Sequence, residues 1–222
     1  MPGYKLAIDG PAGSGKSTIS SLIAKKLGWT HIDTGAMYRA VTLLAIEKKI
    51  NLNDEASYRF LESSFIHYDS NKIFIDNRDV TEAIRSEAVT NNVSLVASFQ
   101  SVRKKLVQLQ QKAAENGNIV MDGRDIGTVV LPKANLKIFL TANVEERAKR
   151  RYKENAKKGK QAQISQVIED IVIRDKKDST RKESPLRKAN DAIELDTTYL
   201  TIEQVVDKII ELTDKKENNH GV

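Results

Sequence analysis

Gly10-Pro11-Ala12-Gly13-Ser14-Gly15-Lys16-Ser17-Thr18 follows the apolar run Lys5 to Asp9 and precedes Ile19, Leu22, Ile23 and Leu27, which line one face of a helix that Gly28 can end. The nine residues satisfy G-x-x-x-x-G-K-[S/T] in full, between a predicted strand and a predicted helix, the context this pattern requires. Gly10, Gly13 and Gly15 permit backbone conformations whose N–H groups converge on an anion, with no Cβ in the way. The helix that follows presents its positive end to the same phosphates. Lys16 supplies a mobile charge for the β- and γ-phosphates, and the Ser17 hydroxyl can ligand the Mg2+ that bridges them. By composition alone the four fixed positions recur in roughly one chain of this length in a hundred, so the flanking strand and helix carry the weight. Gly10, Pro11, Ala12, Gly13, Ser14, Gly15, Lys16, Ser17 and Thr18 are therefore the expected nucleoside-triphosphate site.

Outward from this loop, short apolar runs alternate with longer amphipathic ones, the pattern of an α/β fold with a parallel sheet covered by helices. The predicted strands are Lys5 to Asp9, Thr30 to Asp33, Ile119 to Asp122, Leu136 to Thr141 and Ala192 to Asp196. The predicted helices are Lys16 to Leu27, Ala36 to Lys49, Val102 to Glu115, Val144 to Lys158, Ser165 to Lys177 and Thr201 to Lys215. Four of the five strands end at or beside an acidic residue, and ligands of open parallel sheets bind beyond the strands' carboxyl ends. Phe65 to Asp69 and Ile73 to Ile75, around Ser70-Asn71-Lys72, break the rhythm as a hairpin, with Asn77 to Val80 as a further short strand. This antiparallel piece predicts a small subdomain over residues 62–98, inserted in a core of 1–61 and 99–222. Lys215 to Val222 reads as a frayed tail.

The chain has 222 residues, no Cys and three His, which excludes thiolate chemistry, disulfides and Cys-type zinc or iron–sulfur sites and fits a reducing compartment. No apolar run approaches the roughly 18 residues that span a bilayer, and Met1 to Asp9 enters a strand instead of a secretory signal, so a cytoplasmic protein without membrane partners is expected. The net charge of +6 is unevenly placed. From Glu145 to Lys188 there are 15 Lys and Arg against 8 Asp and Glu, a surplus of +7, while the other residues sum to −1. Such a segment can follow a nucleic-acid backbone or hold a highly anionic small ligand.

Two further constellations lie at strand ends: Asp33-Thr34-Gly35-Ala36-Met37-Tyr38-Arg39 after the second, and Asp122-Gly123-Arg124-Asp125-Ile126-Gly127-Thr128 after the third. With these motifs the chain resembles the bacterial cytidylate kinases, the (d)CMP kinases of the nucleoside monophosphate kinase group. The likeness runs through GPAGSGKST, DTGAMYR, DGRDIGTVVLP, VEERAKRRYKE, RDKKDSTRKESPL and DTTYLTIEQV, in that order over nearly the whole chain. It implies a P-loop kinase fold: a five-stranded parallel sheet flanked by helices, an inserted NMP-binding subdomain, and a helical lid at about 150–163. It also implies transfer of the γ-phosphoryl group of ATP to CMP or dCMP with Mg2+, by a monomer acting on nucleotides and not on nucleic acid.

Residue by residue, the resemblance sets Arg39, Arg124 and Arg181 beside the acceptor phosphate, where a planar fork can grip oxygens in bidentate fashion. A single Arg is more often a surface ion pair, but Arg39 and Arg124 both stand at carboxyl ends of the sheet. Thr34 takes a position within reach of the bound nucleotide. Ser94 and Arg103 match the pair that reads cytosine, whose O2 and N3 accept and whose N4 donates, and Asp125 matches a further base contact. Without the resemblance Ser94 and Arg103 are plain helix-surface residues. Arg174 and Asp178 match positions near the ribose hydroxyls, and by spacing alone they form a helix-surface salt bridge. In the lid helix Arg147, Arg150 and Arg151 are candidates for the donor phosphates, with Arg147 and Arg151, or Arg150, expected to reach them; the competing reading is a solvated basic face. Lys16, Arg39, Arg124, Arg151 and Arg181 thus form the expected catalytic set. Asp33 and Asp122 are candidates for contacts to Mg2+-bound water, though either could orient a neighbouring Arg.

Among rival readings, a switch GTPase lacks its N-K-x-D tetrapeptide here, and an adenylate kinase resemblance would put D-G-F-P-R where Asp122-Gly-Arg-Asp stands. A UMP kinase differs only at the pyrimidine edge. A nucleic-acid-binding ATPase would need aromatic stacking platforms, and the basic segment holds only Tyr152.

Overall fold

A computed structural model describes residues 3–69, 72–157, 159 and 163–219. The strands β1 (Lys5–Asp9), β2 (Thr30–Asp33), β6 (Ile119–Gly123), β7 (Leu136–Thr141) and β8 (Ile193–Asp196) form one parallel sheet in the order β2-β6-β1-β7-β8. β1 lies at the centre, covered on both faces, which is why Leu6, Ala7 and Ile8 run as a continuous apolar stretch without alternation. The carboxyl ends share one rim, with Asp33 opposite Asp122 and Asp9 opposite Gly123.

Helix α1 (Lys16–Leu27) packs Ile19, Ile23 and Ala24 onto this sheet and stops at Gly28, whose φ of 68° lets its N–H turn back to the Ala24 carbonyl. Helix α2 (Thr34–Glu47) starts two residues before the predicted Ala36, because Asp33 caps it by accepting from the Ala36 N–H at 3.1 Å. The segment between α2 and β6 holds a 3-10 turn at Glu55–Glu62, a second sheet of β3 (Ile66–Asp69), β4 (Lys72–Ile75) and β5 (Arg78–Asp79), and the helices α3 (Glu87–Val96) and α4 (Gln100–Ala113). β3-β4-β5 is antiparallel, as the hairpin signal predicts; residues 70 and 71 of its turn lie outside the described residues. α2 and the small sheet share one apolar cluster with α3 and α4, including Val41, Ile73, Val89, Val93 and Leu106.

Beyond β7 come α5 (Val144–Lys157) and α6 (Ile164–Thr180), joined through Ala148, Val167 and Ile171; residues 158 and 160–162 of the expected lid lie outside the described residues. Helix α7 (Ile202–Asn219) corrects the expectation of fraying from Lys215. Its Val205, Val206, Ile209 and Leu212 pack in the α1 cluster, and a helix so anchored propagates through the polar residues that follow. Residues 220–222 lie outside the description. Among the described residues no helix is long and apolar enough to cross a membrane.

Candidate active site

The phosphate loop leaves β1 at Gly10, where a Cβ would lie 2.1 Å from the Leu140 carbonyl oxygen, so only glycine fits against β7. Gly13 and Gly15 take left-handed φ values of 76° and 89°. Gly15 is the N-cap of α1 but carries no side chain to cap it, and the first turn holds no acidic residue. The leading N–H groups of this helix are therefore open to an external anion. Lys16 is buried, and its Nζ donates to the Pro11 carbonyl at 2.7 Å and to Ser14 Oγ at 3.3 Å. Burial first, then the nearby Arg124 charge, lower its pKa well below the ordinary lysine value against the pull of Asp122 and Asp9. Thr18 is exposed on the first turn.

Across the rim, Ser17 Oγ donates to Asp33 Oδ2 at 3.2 Å, while Asp33 Oδ1 caps α2. Asp122 is buried, and burial followed by the adjacent Asp33 raises its pKa. His31 Nε2 shares a hydrogen bond of 2.7 Å with Asp122 Oδ1; burial alone would lower the His31 pKa, but that bond and charge outweigh it and raise it. Thr34 donates from Oγ1 to the Asp122 carbonyl at 2.8 Å, and a Cβ on Gly123 would lie only 2.5 Å from that hydroxyl oxygen.

The guanidinium groups lie next to this rim. Arg39 meets one carboxylate oxygen, Asp33 Oδ2, at 3.9 Å. Arg124 donates from Nε to Asp178 Oδ2 at 2.8 Å; Asp178 outweighs the effect of burial and keeps that guanidinium charged. Asp178 thus pairs across to Arg124, not within its own helix to Arg174. Arg174 has a buried Nε without a hydrogen-bond partner, and burial, then the Arg124 charge, bring its pKa down to about 9. Arg181, at the end of α6, donates to the Ser184 carbonyl at 2.6 and 2.9 Å and reaches Asp125 Oδ1 at 3.5 Å. Arg103 is no surface residue: it is 3% exposed, lies over the Tyr38 ring at 5.3 Å, and pairs with Asp125. Ser94 is half-buried on α3, one helix before it.

The three arginines expected in the lid diverge. Arg147 donates to the carbonyls of Ala142 and Ala12, each at 2.9 Å. Arg150 turns to the end of β8, donating to Thr197 Oγ1 at 3.0 Å and to the Thr197 carbonyl at 2.6 Å. Arg151 pairs with Glu154 at 3.1 Å, and its charge is felt at Arg174.

Four residues that the sequence reading leaves without a role stand in this site. Asp9 accepts from the N–H groups of Ile126 and Gly127, both at 2.8 Å, and ties the turn after β6 to β1. Tyr68 of the small sheet donates its hydroxyl to the Asp33 carbonyl. His31 backs Asp122, and Asp175 accepts from the Ala12 N–H at 3.0 Å. The acidic strand ends pointed to Asp9; a lone Tyr, His or helix Asp gives no such signal, because its partner is set by tertiary packing.

A family model described as cytidylate kinase matches residues 6–215. The chain is 62% identical to the cytidylate kinase of Acholeplasma laidlawii (strain PG-8A) over 212 residues, 96% of each chain. It is 51% identical to that of Bacillus subtilis (strain 168) over 216 residues, 95% of this chain and 96% of the other. Among solved structures, an uncharacterized protein from Eubacterium ventriosum ATCC 27560 superposes with a TM-score of 0.55 at 12% identity, covering 95% of this chain and 98% of that one. A gluconokinase from Sinorhizobium meliloti 1021 superposes with a TM-score of 0.50 at 14% identity, covering 99% and 96%. At such identities these two likenesses speak for the fold.

Proposed function

The chain belongs to the cytidylate kinase family, and on that footing we propose that it transfers the γ-phosphoryl group of ATP to CMP or dCMP, giving ADP and CDP or dCDP. The observation that carries this reading is the set of cations at the carboxyl rim of the sheet: the buried Lys16 beside the Pro11 carbonyl and Ser14, Arg124 oriented by Asp178, and Arg174 with a buried Nε that has no hydrogen-bond partner. Cations gathered at one partly buried rim favour anionic ligands, and two nucleotide phosphates supply them.

In this reading the loop amides from Gly13 to Ser17 and Lys16 hold the donor phosphates. Arg39, Arg124 and Arg181 grip the acceptor phosphate, with Thr34 beside it. Arg103, Asp125 and Ser94 face the pyrimidine edge, and Arg174 and Asp178 the ribose. A monophosphate oxygen is already a competent acceptor, so the residues need only bring the two anions into line and neutralise the charge between them. No general base is required. Arg151, free of the sheet, is the lid arginine we assign to the transferred phosphate.

Mg2+ fits the rim. The exposed Ser17 hydroxyl beside Asp33, with Asp122 opposite in register, offers hard oxygen donors. Among the described residues no cluster of three or more His, Cys, Asp or Glu could hold an ion unaided, so the fit is to an ion that arrives with the triphosphate. Ser17 is its assigned ligand, with Asp33 and Asp122 reached through water. An ion held there would offset the negative charge of the triphosphate.

We assign residues 62–98 to the acceptor side and the stretch at about 150–163 to a closing lid. Free nucleotides as substrates and a chain without Cys fit a cytoplasmic protein. Incubation with Mg-ATP and CMP tests the reading: CDP and ADP should form in equal amounts, and ADP without CDP would contradict it.

A further inference from the structure

Helix α6 turns two carboxylates toward the two halves of the site. Asp178 Oδ2 accepts from Arg124 on the acceptor side at 2.8 Å. Three residues earlier, Asp175 Oδ1 accepts from the Ala12 N–H in the phosphate loop at 3.0 Å. The other oxygen, Asp175 Oδ2, lies 2.5 Å from Arg147 Nη1, and the same nitrogen donates to the Ala12 carbonyl at 2.9 Å. The N–H and the C=O of one loop residue are therefore gripped by one ion pair. The fit is close: a Cβ on Gly13 would lie 3.2 Å from both the Cβ and the carbonyl oxygen of Arg147. The Arg147 side chain is 9% exposed, unlike a solvated helix-surface pair.

We propose that Asp175 is a positioning residue of the donor site: with Arg147 it clamps the Ala12 peptide and holds the phosphate loop in its anion-binding shape. This rests on the reading of Gly10 to Thr18 as the ATP site. A loop with three glycines loses much conformational freedom when it orders around an anion, and a brace already in place lowers that cost. The clamp uses the Ala12 N–H and leaves the amides at the start of α1 for phosphate. It also assigns Arg147 a different part from a direct phosphate contact, since its guanidinium is engaged by Ala142, Ala12 and Asp175. Because Asp178 is one turn along, the same helix that braces the donor loop orients Arg124 for the acceptor.

A double-mutant cycle on Mg-ATP affinity tests this, using Asp175→Ala, Arg147→Ala and the double variant in calorimetric titrations, with CMP titrated in parallel. Each single change should weaken Mg-ATP about tenfold, and the double variant should be no weaker than about twofold beyond either single, because both remove one clamp. CMP affinity should stay within about twofold, since the clamp does not touch the acceptor side. Asp175→Asn, which keeps an acceptor for the Ala12 N–H, should recover part of the ATP affinity and keeps the test open if the alanine variant fails to fold. Additive losses in the cycle would place Arg147 on the phosphate and overturn the proposal. Unchanged ATP affinity with a lower melting temperature, or equal losses for ATP and CMP, would overturn it as well. Failure of the wild-type chain to bind Mg-ATP would instead refute the donor-site reading beneath it.

Discussion

Arg103 and Asp125, 22 positions apart, form a buried ion pair, so the two side chains assigned to the pyrimidine edge hold each other in place. Arg103 keeps a buried Nε without a hydrogen-bond partner, a donor available to an incoming group.

Arg103→Met should therefore have two separable effects. It leaves the Asp125 carboxylate buried, which costs about 3–5 kcal/mol when one partner of such a pair is removed, less what Arg181 at 3.5 Å offsets. It should also raise the KM for CMP by at least about tenfold, the loss of a charge-assisted contact, while the KM for ATP moves less than about twofold. Adding Asp125→Asn should recover stability and not CMP affinity. Equal changes in the two KM values would remove Arg103 from base recognition.

Lys16→Met removes a desolvated charge that is partnered by the Pro11 carbonyl and Ser14. Turnover should fall by about 10²–10³ or more, the scale for deleting one group that stabilises transition-state charge. The melting temperature should be unchanged or higher, because a cation no longer has to be buried. Loss of activity through unfolding, visible as a collapsed melting curve, would count against a catalytic part for Lys16.

Asp9 gives a pH signature. Burial raises its pKa from 3.8 to about 6 against the two N–H bonds it accepts. A carboxyl with a raised folded pKa holds its proton more tightly when folded, so its stabilising contribution is complete below pH about 4 and is lost as pH rises through about 6. A rise of that size corresponds to about 3 kcal/mol. In urea unfolding, wild type should lose about this much relative to Asp9→Asn between pH 4 and pH 7. A difference that stays flat with pH would show that Asp9 does not titrate in that window.

Much of this architecture is legible in the sequence because single residue types fix local geometry. The inner strands β1, β6 and β7 announce themselves by apolar runs, and the loop by three glycines before Lys16. Helix α3 escapes notice although Val89, Val93 and Val96 keep a helical spacing; β-branched residues favour strands, and only packing against α2 decides for helix. The start of α2 shifts because Asp33 acts as a cap. Arg147, Arg150 and Arg151 look alike in a basic run, yet one grips the loop, one braces β8 and one stays near the cleft. Their divergence depends on Asp175 and Thr197, far away in sequence, and no local pattern encodes it.

The most direct test of the account is steady-state kinetics with Mg-ATP against AMP, GMP, UMP, CMP and dCMP, repeated with added single-stranded DNA or RNA. The account predicts the highest kcat/KM for CMP or dCMP and no stimulation by polynucleotide. Inactivity toward every pyrimidine monophosphate, together with ATP hydrolysis that polynucleotide stimulates, would contradict it.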